Sequence, residues 1–179
     1  MEKLPDESTF GIQLINHMRE KKLTYTVEEA KRSLEKYCAY QDRCHQEIER
    51  KLWEMRMIPE AREVIFLHLM EHDFLNEERF SRSFARGKFR IKQWGRHRIE
   101  RELKQKEISA YNIKAGLSEI SPEDYEETFL EVSRKRFLSV DETDKYKKRK
   151  KVADFLLRKG FESHKVYEVL KDLERENIS

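Results

Sequence analysis

The chain has 179 residues, 41% of them charged and 37% hydrophobic, with a formal net charge of +3. So small an apolar share disfavours one large globular core and suits helices with narrow apolar stripes; five glycines, three prolines and no alternating β-branched run argue against sheets. No window approaches a membrane span, and Met1–Phe10 lacks the basic-then-apolar order of a signal peptide, so a soluble, cytoplasmic protein is expected.

Residues 1–25 are read as an N-terminal arm or short helix, with Ile12, Leu14, Ile15 and Met18 as its apolar positions. Thr26-Val27-Glu28-Glu29 has the form of a capping box and predicts a helix carrying Ala30, Leu34, Tyr37 and Cys38. After a break at Asp42–Cys44, a second helix carries Ile48, Leu52 and Met55. Pro59 opens a third, in which Ala61, Val64, Ile65, Leu67, Leu69 and Met70 form a broad apolar surface. This first unit covers residues 26–75.

The second unit, 76–120, holds the densest chemistry. From Arg79 to Lys106 there are eleven Lys or Arg against two carboxylates. At about 100° per residue, Arg79, Arg82, Arg86 and Arg90 share one helical stripe and Phe80, Phe84 and Ile91 another. The first stripe lacks interleaved Glu, so it reads as four guanidinium groups offered to a phosphate-rich or acidic partner. Lys88, Lys92, Arg96 and Arg98 extend that contact. Trp94-Gly95 turns the chain, and Ile99 and Leu103 mark the next helix. Ser109 caps a third helix through Ile113 and Leu117.

Ser121-Pro122 opens the third unit, 121–179: a long helix to about Leu138, a loop near Asp141, a helix ending before Gly160, and one more from Ser163 to about Arg175. Lys147, Lys148, Arg149, Lys150 and Lys151 supply a second cationic run. It crowds a helix N-terminus against the dipole, which favours a role in binding.

The units repeat. Ile99, Leu103, Ile108, Ile113 and Leu117 match Val152, Leu156, Phe161, Val166 and Leu170 in spacing. Ile48, Leu52, Ile58 and Leu67 match more loosely, with one extra residue before Ile58. The fold expected is all-α, an elongated, curved array of three tandem three-helix repeats whose neighbours complete one another's cores.

These residues resemble the RecX family, bacterial regulators of the RecA recombinase. The likeness rests on Glu77-Glu78-Arg79-Phe80, Phe84, Arg86, Trp94-Gly95, Arg98-Ile99, Glu102-Leu103, Lys106 and Ile108, and on Lys159-Gly160-Phe161. The text from Tyr37 to Ile48 looks like members from the Bacteroidetes group. Gln93, Arg96 and Glu107 depart from the family's Gly, Pro and Gly, which bears on the turns. The resemblance implies a non-enzymatic regulator lodged in the groove of RecA–DNA filaments. It would mainly inhibit recombinase and co-protease activity in recombination, DNA repair and the SOS response. DNA, single- or double-stranded, is the weaker partner; a monomer without cofactor is expected. A stand-alone DNA- or RNA-binding helical module is the alternative, and a protein-interaction repeat a third.

Other constellations carry less. His68 and His72 with Asp73, and Cys38, Cys44 and His45, lack the spacings of known metal motifs, so no metal is expected. The two cysteines are expected reduced, with Cys44 as a helix cap. Trp53 and Trp94 are read as core. No phosphate loop, nucleophile elbow or carboxylate cluster points to catalysis.

Overall fold

The computed structural model describes residues 24–176. Among these residues the regular elements are nine helices and no strand: α1 (Val27–Tyr40), α2 (His45–Glu54), α3 (Pro59–Glu71), α4 (Glu77–Lys92), α5 (Arg96–Gln105), α6 (Ala110–Leu117), α7 (Pro122–Ser139), α8 (Lys145–Lys159) and α9 (Ser163–Glu176). They form three tandem three-helix repeats. Of the expected arm, positions Ile12 to Met18 lie outside the described residues.

Caps set most of the helix starts. Thr26 and Glu29 close a reciprocal capping box on α1. Asn76, Ser109, Ser121 and Asp144 accept backbone N–H bonds at the starts of α4, α6, α7 and α8. Pro59 and Pro122 occupy first-turn positions, where a missing N–H costs nothing.

The middle helix of every repeat ends in the same turn. Arg56, Glu107 and Gly160 adopt φ of 57°, 61° and 91°, and the following N–H of Met57, Ile108 or Phe161 bonds back to Leu52, Leu103 or Leu156. This is the Schellman arrangement, and Glu107 takes it despite not being glycine. It also corrects the register of repeat 1. Met57, buried, is the counterpart of Ile108 and Phe161 at the same spacing, with no extra residue; Ile58 is 63% exposed.

Two apolar clusters hold the array. Repeat 1 has its own, built on Leu34, Ile48, Leu52, Ile65 and Leu69. Repeats 2 and 3 share the other, which includes Phe80, Phe89, Ile99, Leu103, Tyr125, Phe129, Phe161 and Leu170; Phe84 and Trp94 pack at its edge, and Cys44 reaches it from repeat 1. Both cysteines are free, and burial pushes the Cys38 thiol up to about 11.

The exposed apolar positions are a further correction. Ile91 is 77% exposed and Phe89 is buried instead. The reason is tertiary. Phe80 faces its own repeat, but by its last turns α4 meets α7, where Phe89 lies 6.1 Å from the Tyr125 ring, half a helical turn away from the phase of Phe80. Trp53 is also exposed, its ring covered by the Arg62 guanidinium at 3.8 Å. On α3 only Ile65 and Leu69 are buried, while Val64, Leu67 and Met70 face outward.

Candidate nucleic-acid interface

The arginine stripe of α4 is largely engaged inside the molecule. Arg79 Nε donates to Asp42 at 2.8 Å, Arg79 Nη1 to Asp73 at 2.6 Å, and its second Nη to the Asp73 and Phe74 carbonyls. Arg82 meets Glu78 at 2.8 Å and Glu119 at 2.7 Å, and Arg86 meets the other Glu119 oxygen at 2.7 Å. The Glu119 carboxyl sits below its ordinary range, held there by the Arg82 hydrogen bond despite some desolvation, with Arg86 adding to the effect. The stripe is therefore paired, contrary to the sequence expectation: Glu78 meets Arg82 at i, i+4 on α4 itself, and Asp42, Asp73 and Glu119 reach the stripe from loops that local spacing does not reveal. Of its four members only Arg90 is exposed and has no ion pair among the described residues.

The two joints between repeats differ in chemistry. At the first, the N-cap of α2 is Cys44, and three residues on Glu47 meets Lys106 at 2.8 Å. Further polar links are Ser83 Oγ to Asp42 at 2.7 Å and His45 to Glu77 at 3.0 Å. At the second, the N-cap of α5 is Gly95, and the residue three on is Arg98. It faces Lys159, the counterpart of Lys106. The same pair of positions is thus a salt bridge at one joint and two cations at the other.

A band of cations and rings grows from that second joint. Arg98 lies 4.0 Å over the Trp94 ring and Lys88 is 5.2 Å from it. Lys159 Nζ donates to the Lys92 carbonyl at 2.6 Å and lies 5.6 Å from the Phe155 ring, whose other cation is Arg136 at 4.9 Å. Burial, then Arg98 and Lys92, hold the Lys159 amino group below the usual lysine range. Among the described residues the one carboxylate in ion-pair reach of this set is Glu102, 3.9 Å from Arg98. Arg98 Nε and Arg136 Nε have no hydrogen-bond partner among the described residues. Arg96 is committed to structure, stacked at 4.3 Å on Tyr125 and bonded to the Ile120 carbonyl.

The run at the start of α8 splits. Arg149 pairs with Glu174 and Lys151 with Glu142, and Lys148 lies 4.7 Å from the Phe137 ring. Lys147 and Lys150 are exposed and have no ion-pair partner among the described residues. Asp144, whose side chain accepts from the Tyr146 and Lys147 N–H groups, offsets the dipole at this cationic N-terminus.

Sequence reasoning did not assign Lys159, Phe155 or Arg136 to the site. The signal was present: superposing the middle helices places Arg98 on Glu47 and Lys159 on Lys106. His68 bonds Glu35 at 2.6 Å and His72 bonds the His68 carbonyl, which accounts for that pair. The described residues contain no cluster of three His, Cys, Asp or Glu able to hold a metal, and none of their helices is long and apolar enough to cross a membrane.

Comparison with known proteins agrees with this architecture. Residues 76–117 match the model of the second three-helix domain of RecX, and 123–170 that of the third. The regulatory protein RecX of Clostridium acetobutylicum is 33% identical over 135 residues, covering 73% of this chain and 62% of that protein. That of Limosilactobacillus reuteri is 29% identical, covering 79% of this chain and 56% of its own length. The chain therefore spans roughly half to three-fifths of these two relatives. A crystal structure of regulatory protein RecX superposes with a TM-score of 0.73 at 25% identity over 95% of this chain and 80% of the other. RecX from Lactobacillus salivarius gives 0.69 at 21% over 83% and 96%, a likeness of fold. With two of its three repeats matched to successive RecX domains, the chain belongs to the RecX family of regulatory proteins.

Proposed function

We propose that this chain regulates RecA recombinase filaments, seating the joint of repeats 2 and 3 against the phosphate backbone of the filament's DNA and restraining the recombinase there. The observation that carries the reading is the exchange of Glu47–Lys106 at the first joint for Arg98–Lys159 at the second. Two cations packed together without a carboxylate between them are costly alone and favourable with an anion beside them. Rings at Trp94 and Phe155 hold the cations in a fixed band, so little entropy is lost when phosphates dock. Arg90, Lys147 and Lys150 add exposed charge. A linear repeat array suits a partner that is itself a helical polymer, because several weak contacts on one body reinforce each other.

The test is RecA-dependent ATP hydrolysis on single-stranded DNA, titrated with this protein at two salt concentrations. Inhibition is expected at amounts well below the RecA concentration, weakening as salt rises. Inhibition only at amounts that coat the DNA would replace this reading with a stand-alone nucleic-acid-binding module. No inhibition in either regime would overturn both.

A further inference from the structure

The outward arc of α3 carries a surface of a different kind. Glu60, Glu63, Val64, Leu67, Met70 and Glu71 fall within roughly 120° of one another at 100° per residue, and all six are exposed. Val64, Leu67 and Met70 are 52%, 54% and 44% exposed. The three carboxylates have no ion-pair partner among the described residues, and no Lys or Arg shares the arc.

This arc is peculiar to repeat 1. Counting from the residue after the left-handed turn, Val64, Leu67 and Met70 correspond to Ala115, Ser118 and Ser121 in repeat 2. In repeat 3 the same positions are Glu168, Lys171 and Glu174. Two repeats thus place small or charged residues where repeat 1 places three large apolar ones. The core does not use them, since Ile65 and Leu69 supply the inward face of α3. Three apolar side chains one helical turn apart, framed by carboxylates, are the anchors of helix-in-groove recognition. The same carboxylates repel a phosphate backbone.

We infer that the outward face of α3 is a protein-docking surface whose occupant presents apolar groups flanked by Lys or Arg. Resting on the function proposed above, that occupant is the protein component of the filament rather than its DNA. The chain then divides its labour: repeat 1 grips protein, and the band of repeats 2 and 3 grips phosphate.

The test uses the full chain with Val64→Ser, Leu67→Ser and Met70→Ser together, a charge-neutral change confined to exposed positions. Binding is measured to preformed RecA filaments on single-stranded DNA and to the same DNA bare, with a circular dichroism melt as the check of folding. The expected result is a loss of about tenfold or more on filaments, with bare-DNA affinity unchanged. As a second variant, Glu60→Lys with Glu71→Lys should also weaken filament binding, despite adding positive charge. Equal filament binding by wild type and both variants would overturn this inference alone. Absence of filament binding by the wild type would overturn the parent reading and this one together. Should sedimentation show that wild type self-associates and the triple variant does not, the face is a contact between copies and the inference falls.

Discussion

Gly95 and Gly160 join repeats 2 and 3 backbone to backbone. The Gly95 N–H donates to the Lys159 carbonyl at 2.8 Å and the His97 N–H to the Gly160 carbonyl at 3.1 Å. A Cβ on Gly95 would lie 2.2 Å from the Gly160 oxygen, and one on Gly160, at φ 91°, would lie 2.4 Å from Arg98. Neither obstacle is a flexible side-chain tip, so the joint must open to admit a methyl group. Gly95→Ala is therefore expected to destabilise by about 1–3 kcal/mol, several degrees in Tm, and to weaken nucleic-acid binding because the cationic band spans the joint. An unchanged melt would show that the two repeats tolerate separation.

Phe89 and Ile91 are a second pair that experiment can separate. Phe89 is buried against Tyr125, whereas Ile91 is open to solvent. Phe89→Ala should cost about 3–5 kcal/mol and Ile91→Ala no more than about 0.5 kcal/mol by chemical denaturation. The reverse order would mean that α4 is rotated by half a turn at its C-terminal end.

That pair also marks how far the sequence can be read. Repeats 2 and 3 were legible because their middle helices print the same mark, an i, i+4 apolar pair followed by a left-handed turn, at Ile99-Leu103-Glu107 and Val152-Leu156-Gly160. Repeat 1 reads one residue out of register because two apolar residues, Met57 and Ile58, follow its turn at Arg56, and only packing shows that Met57 is the buried one. The face of α4 was half legible. Its N-terminal phase follows Phe80, but its C-terminal phase is set by a ring in the next repeat. Of the candidate site, the charge surplus was visible and its location was not. Arg79 finds Asp42 only across the first joint, and Arg82 and Arg86 find Glu119 only once α4 packs on α6, leaving the surplus at Arg98 and Lys159.

Acid should act on the first joint before the second. Burial raises the Asp42 carboxyl, but hydrogen bonds from Ser83 and Arg79 outweigh this and leave it below its ordinary value; Asn76 and Arg79 lower Asp73 likewise. A depressed carboxylate contributes stability above the unfolded-state pKa, about 4, and loses it as pH falls through the lower folded value. The melting temperature should hold from pH 7 to about 5 and decline below about 4. Arg79→Gln removes the guanidinium that both carboxylates share, so it should lower Tm at neutral pH and flatten the acid decline. Parallel Tm–pH curves for wild type and variant would show that the Arg79 clamp adds nothing to the joint.

Arg98→Glu separates binding from folding most directly. Glu at this position copies Glu47, which meets Lys106 at 2.8 Å in the equivalent place, so the variant should pair with Lys159 and relieve the repulsion at the second joint. Against this stand the lost contact of Arg98 with the Arg158 carbonyl at 3.2 Å and its stacking on Trp94. These offsets are each on the order of 1 kcal/mol, so folding should survive with Tm within a few degrees of wild type. Binding should not. One cation is reversed and a second, Lys159, is neutralised by its new partner. Affinity for single-stranded DNA should therefore drop at least about tenfold, and the slope of log affinity against log salt should shrink by about 1.4, at roughly 0.7 per lost phosphate contact. In the same titration Arg82→Gln with Arg86→Gln should leave the slope near wild type, because those guanidinium groups already hold Glu78 and Glu119. If instead Arg98→Glu binds like wild type and the Arg82/Arg86 variant does not, the contact lies on the α4 stripe, and Glu119 is what an incoming phosphate must displace.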